Sequence, residues 1–334
     1  MIKIGRRIVL TWIGFGIGAI LVCLAAPLMG STSINLRRAF DTSIPFADNL
    51  DAQVFFVARL PRVLDGAMVE SSLAASGVVF QALLRNPLAT PFTLGVSAGA
   101  ALGAMLAVTL NLPSGIAGFS AVPIASFAGA LGAVAIVYGL ARAKHRGIST
   151  NVLLLAGVTL NSFFSALILF VQFMSDFTQT FRTVRWLMGD LDVSSYAPLI
   201  AALPPIALSF AAFAVLPKSM NLLSIGDESA ASRGVDVHRT QRLAFLSASL
   251  ATGAAVSLGG PIGFIGIVIP HLVRLLVGAD HRLVLPASAF GGAAFLVMCD
   301  TISRTALAPL EVPVGVITAL IGGPFFLWLL IKNR

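Results

Sequence analysis

Long apolar runs separated by short polar segments make up most of the chain. Ten of these runs approach or exceed the roughly 20 residues that a helix needs to cross the apolar core of a bilayer. Several of the intervening segments are very short, so neighbouring spans must be antiparallel. The pattern therefore predicts an all-α integral membrane protein with ten transmembrane helices, at residues 8–29, 60–82, 93–110, 119–141, 151–174, 197–216, 241–259, 261–277, 285–303 and 313–331.

The composition agrees with this pattern. Hydrophobic residues make up 57% of the 334 residues and charged residues only 11%, whereas soluble domains carry about 25% charged residues. If the N-terminus is inside, fifteen of the 22 Lys and Arg residues fall on the inner side, as the positive-inside rule requires. This distribution accounts for the net charge of +8, so the charge does not indicate a nucleic-acid partner. We expect one membrane domain over residues 1–334, with both termini in the cytoplasm.

The first run leaves one alternative open. A short basic segment followed by an apolar run also describes a signal peptide, and Ala25-Ala26 is a weak cleavage hint. The length of the run and the glycines at Gly14, Gly16 and Gly18 favour a retained first span, since small residues allow close helix packing in lipid.

The region around the second and third spans carries the densest set of motifs. Arg59-Leu60-Pro61-Arg62 stands where the second span begins, and Pro is favourable at a helix start because its missing N–H would be unpaired there. Asn86-Pro87 ends that span. Gly95, Gly99 and Gly103 then follow at i, i+4 and i+8, which predicts a smooth stripe for another helix.

Two further segments carry helix caps, glycines and prolines at positions that predict local structure beyond a simple membrane span. In a cytoplasmic loop over about residues 217–240, Ser224 or Asp227 can cap a short helix and Gly234 can end it. In residues 259–274, Gly259 and Gly263 permit close backbone approach and Pro261 predicts a helix start. Pro270-His271 predicts a kink, and Gly322-Gly323-Pro324 is expected to interrupt the last span.

With these motifs at this spacing, the chain resembles the permease subunits of the ABC importers for iron–siderophore complexes, haem and vitamin B12, over nearly its whole length. The resemblance implies a type II ABC importer permease fold and a homodimer around a central path lined by the fifth and tenth spans. It also implies alternating access in the cytoplasmic (inner) membrane of a bacterium, with an intact iron chelate or a corrinoid as cargo. The sequence does not distinguish these cargoes.

The resemblance also implies partners. Two cytoplasmic ATPase subunits would bind ATP and Mg, while this chain would hold no cofactor and contact only its second copy, membrane lipid, the ATPases and a periplasmic or lipid-anchored substrate-binding protein. The residues agree, because a P-loop needs Lys after Gly and none of the four lysines follows Gly. We expect no enzyme activity and no metal site, since the four histidines are not clustered: His145, His238, His271 and His281.

By resemblance, Arg59, Arg62 and Arg304 meet acidic residues on the two lobes of the binding protein. From the residues alone, each could equally snorkel to the interface or form a local ion pair, and Asp300 and Arg304 have the i, i+4 spacing of such a pair. Docking requires these guanidiniums to be exposed, and burial within the subunit would count against it.

By resemblance, the short helix in the cytoplasmic loop is the coupling helix that enters a cleft of the ATPase. From composition alone it could be an ordinary surface helix. The residues expected to carry the coupling are Gly226, Asp227, Glu228, Ala230 and Gly234, and of these Gly226, Ala230 and Gly234 match the family pattern. Asp227 stands where Glu is usual, and Arg233 where an apolar residue is usual.

Six residues are candidates for the translocation path: Glu70, Asn161, Gln172, Met174, Arg182 and Trp186. An intramembrane carboxylate such as Glu70 is a functional candidate by default, but it could equally be protonated or paired with a neighbouring helix. Arg182 and Arg185 would suit an anionic cargo or a rim ion pair with Asp176 or Asp190. Two rival classes remain open: an ion-coupled secondary transporter that uses Glu70, and a membrane scaffold.

Overall fold

The computed structural model describes residues 2–112, 120–143, 150–193 and 195–332, and all regular secondary structure there is helical. The predicted start of the fourth span at residue 119, and His145, lie outside these ranges. The α-helices are α1 Ile2–Ala25, α2 Leu36–Ala39, α3 Leu50–Gln53, α4 Leu60–Leu83, α5 Val96–Thr109, α6 Ala121–Ala143, α7 Thr150–Met174, α8 Phe177–Leu187, α9 Ala197–Val215, α10 Pro217–Leu223, α11 Asp227–Ala231, α12 Val237–Gly259, α13 Ile265–Val277, α14 His281–Thr305 and α15 Val314–Lys332.

Seven helical segments in the described part of the chain are long and apolar enough to cross a membrane. They contain α1, α4, α6, α7, α9, α12 and α14, and each lies within a few residues of a predicted span. The other three predicted spans correspond to shorter apolar helices, α5, α13 and α15. The fold is therefore an all-helical membrane fold.

Helix α4 is the centre of the packing. Eighteen of its 24 residues are buried, and it packs most extensively against α14, α12 and α13. The approach to α13 is close because both helices carry glycine: a Cβ on Gly77 would lie 2.2 Å from the carbonyl oxygen of Gly266. Gln81 donates to that same carbonyl over 3.1 Å, and Ser76 donates to Ala248 of α12 over 3.1 Å. The central helix is thus tied to its neighbours by polar as well as apolar contacts.

The predicted glycine stripe packs α5 against α6. A Cβ on Gly99 would lie 2.5 Å from the carbonyl oxygen of Gly129, and one on Gly103 would lie 2.1 Å from that of Ala125. Gly95 contributes differently, because it precedes α5 with a positive φ of 76°. The prediction of a packing surface is confirmed for Gly99 and Gly103.

Several predicted boundaries are wrong. A wide π turn, Val54–Arg59, precedes Pro61, and the helical segment already begins at Leu50. Helix α13 begins at Ile265 rather than at Pro261, because Phe264 has a φ of 70° that breaks the helix. A Cβ on Gly263 would meet no atom within 4 Å, and one on Gly259 would lie 2.9 Å from the side chain of Leu191, so Gly259 is closely packed by side chains rather than by another backbone.

Two other differences concern α15 and α8. Helix α15 continues through Pro324 without the predicted interruption. Helix α8 was not predicted, because its alternating polar and apolar residues do not form an apolar run. It begins with a reciprocal cap, in which Asp176 accepts from the backbone N–H of Gln179 over 2.8 Å.

Candidate transport and coupling sites

A buried ion cluster joins the predicted outer ends of α4 and α14. One carboxylate oxygen of Asp300 accepts from Nε of Arg62 and the other from Nε of Arg304, both over 2.9 Å. The side chains of Asp300 and Arg304 are only 2% and 6% exposed. Arg62 also donates to Glu311 over 2.8 Å. The i, i+4 pair expected for Asp300 and Arg304 is thus confirmed, with Arg62 as an added partner.

Arg59 is buried beside this cluster. Its guanidinium donates to the carbonyl oxygens of Pro27 over 3.1 Å and of Thr32 over 2.5 Å. The prediction that Arg59, Arg62 and Arg304 form an exposed basic patch is therefore wrong in the single chain. The reason is that Asp300 and backbone carbonyls of the loop after α1 supply partners within the subunit.

A pocket of about 760 Å³, here called the basin, is lined in part by Arg62, Arg304 and Glu311 of this cluster. Arg185 of α8 lines it and pairs with Asp190 over 3.3 Å, so one of the two expected rim ion pairs is present. Asp176 caps α8 instead. Arg182 is exposed and forms no ion pair with any described residue. Trp186 is half-buried and packs against the core.

The loop after α9 forms the predicted short helix, α11, with a different start. Gly226 precedes it with a φ of 145°, and no side chain caps it. Ser224 instead donates to the carbonyl of Asn221 over 2.9 Å. Ala230 is fully buried, Glu228 is exposed, and Gly234 follows with a φ of 83°. One face of α11 thus anchors the helix and the other is free for a partner.

Arg85 connects α11 to the end of α4. Its Nε donates to the carbonyl of Leu223 over 3.0 Å, and its Nη2 pairs with Asp227. Arg85 holds a positive φ of 48° at the turn after α4. Sequence reasoning assigned no role to Arg85 beyond the inner charge bias. A basic residue beside Asn-Pro at a helix end was the only available signal.

The α7 candidates for the path lie on a poorly packed helix. Asn161 is exposed, Met174 is 67% exposed, and Gln172 is half-buried. Several large apolar side chains on α7 are exposed as well, including Phe173 at 86%. Such a surface must be covered by lipid or by another chain.

Glu70 and Asp65 are both fully buried in α4, and neither carboxylate oxygen of either residue has a hydrogen-bond partner among the described residues. Glu70 lies at the interface with α14, where a Cβ on Gly292 would come within 3.1 Å of its Cγ. Glu70 is therefore enclosed between α4 and α14. Asp65 lies near Asp300. It was not predicted as a site residue, because a carboxylate one helical turn after Arg62 has the spacing of an ordinary ion pair.

Residues predicted on the inner side and residues predicted on the outer side form two separate sets of contacts. At one end, Arg304 donates to the carbonyl of Met29 over 3.2 Å, close to the Arg62 and Asp300 pair. At the other end, Asn221 donates to Asp280 over 2.7 Å, and Trp12 donates to the carbonyl of Arg282 over 3.0 Å. Residues predicted on one side of the membrane contact one another, as the alternation of antiparallel spans requires.

Comparisons with known proteins identify the family. A model of the FecCD transport family matches residues 18–332. The hemin transport system permease of Yersinia pestis is 38% identical over 317 residues, 94% of this chain and 93% of that protein. The cobalamin import system permease of Halobacterium salinarum is 45% identical over 300 residues, 88% of this chain and 78% of that protein.

A solved structure agrees with these relatives. It is an inward-facing conformation of a metal-chelate type ABC transporter, with a TM-score of 0.80 and 30% identity over 97% of this chain and 99% of that one. None of these similarities supports an ion-coupled secondary transporter. Since the family match spans nearly the whole chain and the relatives are importer permeases, this chain belongs to the FecCD transport family and is a permease subunit of an ABC importer.

Proposed function

We propose that two copies of this chain form a type II importer permease with ten spans per subunit, and that two cytoplasmic ATPase subunits drive it through α11. A binding protein delivers an intact iron chelate (siderophore or haem) or a corrinoid to the outer face. ATP binding and hydrolysis then switch the spans between outward and inward access. Both termini lie in the cytoplasm, on the same side as α11.

The observation that carries this proposal is the anchoring of α11. Glu228 and Arg233 are exposed, whereas Ala230 is buried and Asp227 pairs with Arg85. A force on the exposed face would therefore reach α4 through the Arg85 contacts. Because α4 packs most extensively against α14, α12 and α13, a shift of α4 would move the middle of the subunit.

The path is proposed to run along α7 and α15 between the two copies. Asn161, Gln172 and Met174 on α7 supply weakly polar and apolar groups that hold no cargo tightly. Arg182 is the cation free to meet an anionic chelate, since Arg185 is already paired with Asp190. Trp186 lies one turn further along α8, and its packing against the core fits a support for the vestibule wall.

Docking of the binding protein is proposed over the outer basin rather than on three free arginines. Arg59 and Arg304 line that basin, but their guanidiniums already donate hydrogen bonds to groups within the chain. Arg62 differs from the other two arginines because one of its partners, Glu311, is exposed. An acidic group of the binding protein can take the place of Glu311 beside Arg62. Arg62 is therefore the arginine of the three that retains a docking role.

The experiment that tests the coupling proposal is performed on the chain co-expressed with its ATPase. Gly226→Pro is incompatible with the φ of 145° at that position, because Pro fixes φ near −65°. We expect Gly226→Pro, and deletion of residues 227–232, to leave an assembled membrane protein whose ATP-driven uptake is at least tenfold lower.

The matched control is Gly132→Ala, since a Cβ there meets no atom within 4 Å. It should transport normally. Undiminished ATP-driven uptake in Gly226→Pro would exclude α11 as the coupling helix.

A further inference from the structure

An apolar groove with a basic end lies between α1, α4, α9 and α14, away from the proposed path. Its volume is about 920 Å³, within the range of ligand pockets. Most of its wall is apolar, and the groove is bordered at one end by Lys218 and Arg282. Helix α7 packs against α5 and α6 and contributes no side chain to this groove.

The α14 wall of the groove is about as long as one leaflet of a bilayer. On α14 the groove extends from Arg282 to Ala293, which at 1.5 Å per residue is about 16 Å. Half of a 30 Å hydrocarbon core is about 15 Å. The basic end would then lie at the level of the lipid headgroups and the Ala293 end of the α14 wall near the middle of the membrane, while Leu64 of α4 extends the apolar wall further.

The basic end of the groove can bind a phosphate, because the carboxylates of the chain do not occupy all of its donors. Lys218 is exposed and forms no ion pair with any described residue. Arg282 uses Nε and Nη2 on Asp280, with 2.6 Å from Nη2 to the carboxylate, and leaves Nη1 without a bond to a described residue. Lys218, Arg282 and Asp280 together leave one positive charge.

Two groups hold the basic end in place. The hydrogen bonds from Arg282 keep the pKa of Asp280 below its ordinary value, so Asp280 stays charged. The indole N–H of Trp12 donates to the carbonyl of Arg282 over 3.0 Å, at the depth where Trp is enriched in membrane proteins. Basic pockets between transmembrane helices on the cytoplasmic side are known to take anionic lipid headgroups.

We propose that this groove is a binding site for an anionic phospholipid, with its acyl chains along Leu64, Phe213 and Leu285 and its phosphate at Lys218 and Arg282. The assignment to the inner leaflet follows from the proposed orientation of the chain, whereas the binding chemistry does not depend on the importer mechanism. The test can therefore be done on the chain without its partners.

The experiment measures lipids retained by the purified full-length chain in native mass spectrometry. Phosphatidylglycerol and cardiolipin are titrated against phosphatidylcholine, with inorganic phosphate in excess as a competitor. We expect anionic lipid to bind more tightly than phosphatidylcholine and inorganic phosphate not to displace it. Lys218→Gln should weaken binding of the anionic lipid about fivefold, and Lys218→Glu should weaken it more.

The control is Arg239→Gln, an exposed cation outside the groove, which should change lipid binding less than twofold. Ala67→Trp fills the groove and should weaken both lipid classes. If that variant does not fold, Ala214→Trp on the exposed opposite wall serves the same purpose.

The proposal is overturned if Lys218→Glu retains anionic lipid as the parent does, or if a Trp variant that folds binds lipid unchanged. Displacement by inorganic phosphate would show a simple anion site instead. Loss of dimer in the Trp variants with lipid binding unchanged would assign the groove to a second copy.

Discussion

Asp300 joins Arg62 of α4 to Arg304 of α14, so its replacement is expected to destabilise the chain. Asp300→Asn removes the charge that partners both Arg62 and Arg304 at 2.9 Å. Each charge-assisted hydrogen bond contributes about 1.5–3 kcal/mol, and removal of one partner from a buried ion pair costs about 3–5 kcal/mol. We therefore expect the free energy of unfolding to fall by about 3–5 kcal/mol.

The assay is denaturant-induced unfolding of the purified chain in mixed micelles, followed by helical circular dichroism. Glu311→Gln is the matched control, because Glu311 pairs with the same Arg62 but its side chain is 48% exposed. An exposed pair is worth about 1 kcal/mol or less. Higher ionic strength should erase the effect of Glu311→Gln and leave that of Asp300→Asn, since salt screens exposed charges more than buried ones.

A loss of less than about 1 kcal/mol for Asp300→Asn would refute this reasoning. It would mean that Arg304 reaches water or another partner, and that the cluster is open enough for docking. The same result would return Arg304 to the binding-protein interface.

Further substitutions test the packing, the link to α11 and the path. Gly103→Ala should destabilise the chain by about 1–3 kcal/mol through overpacking, because its Cβ would lie 2.1 Å from a backbone oxygen, whereas Gly132→Ala should be neutral in the same unfolding assay. Arg85→Ala should lower ATP-driven uptake severalfold at normal expression; unchanged uptake would remove Arg85 from the coupling route. Glu70→Leu should lower uptake, and unchanged expression and transport together would end any role for it. Arg182→Gln should raise the apparent KM for an anionic chelate without affecting a neutral corrinoid, and equal effects on both cargoes would contradict the proposed contact.

The long apolar helices were predictable from sequence because burial in lipid requires long apolar runs, whereas α8 has no such run and was not predicted. The same holds for contacts governed by helical spacing. Gly99 and Gly103 share one face at i, i+4, and Asp300 and Arg304 do so as well, so both contacts could be foreseen.

Contacts between distant helices could not be foreseen in this way. Arg62 and Asp300 are 238 residues apart, and Arg85 and Asp227 are 142 residues apart. Their pairing depends on how α4 is packed, which local spacing does not encode. For this reason the docking role expected for Arg62 required an exposed guanidinium, whereas Arg62 is in fact paired with Asp300 inside the subunit.

Local backbone geometry explains the remaining differences. Pro261 favours a helix start, but Phe264 with a φ of 70° delays α13 to Ile265. Ser224 or Asp227 was expected to cap α11, but Ser224 donates to the carbonyl of Asn221 and the carboxylate of Asp227 pairs with Arg85. In each case a tertiary contact or a single unusual dihedral outweighs the local preference of the sequence.

Uptake by reconstituted vesicles tests the importer assignment most directly. The chain is placed in vesicles alone, with its ATPase, or with its ATPase and a cargo-loaded binding protein, and radiolabelled iron chelate or corrinoid is followed. We expect uptake only in the complete assembly and only with hydrolysable ATP. Uptake by the chain alone under a proton or sodium gradient would contradict the ATP-driven mechanism.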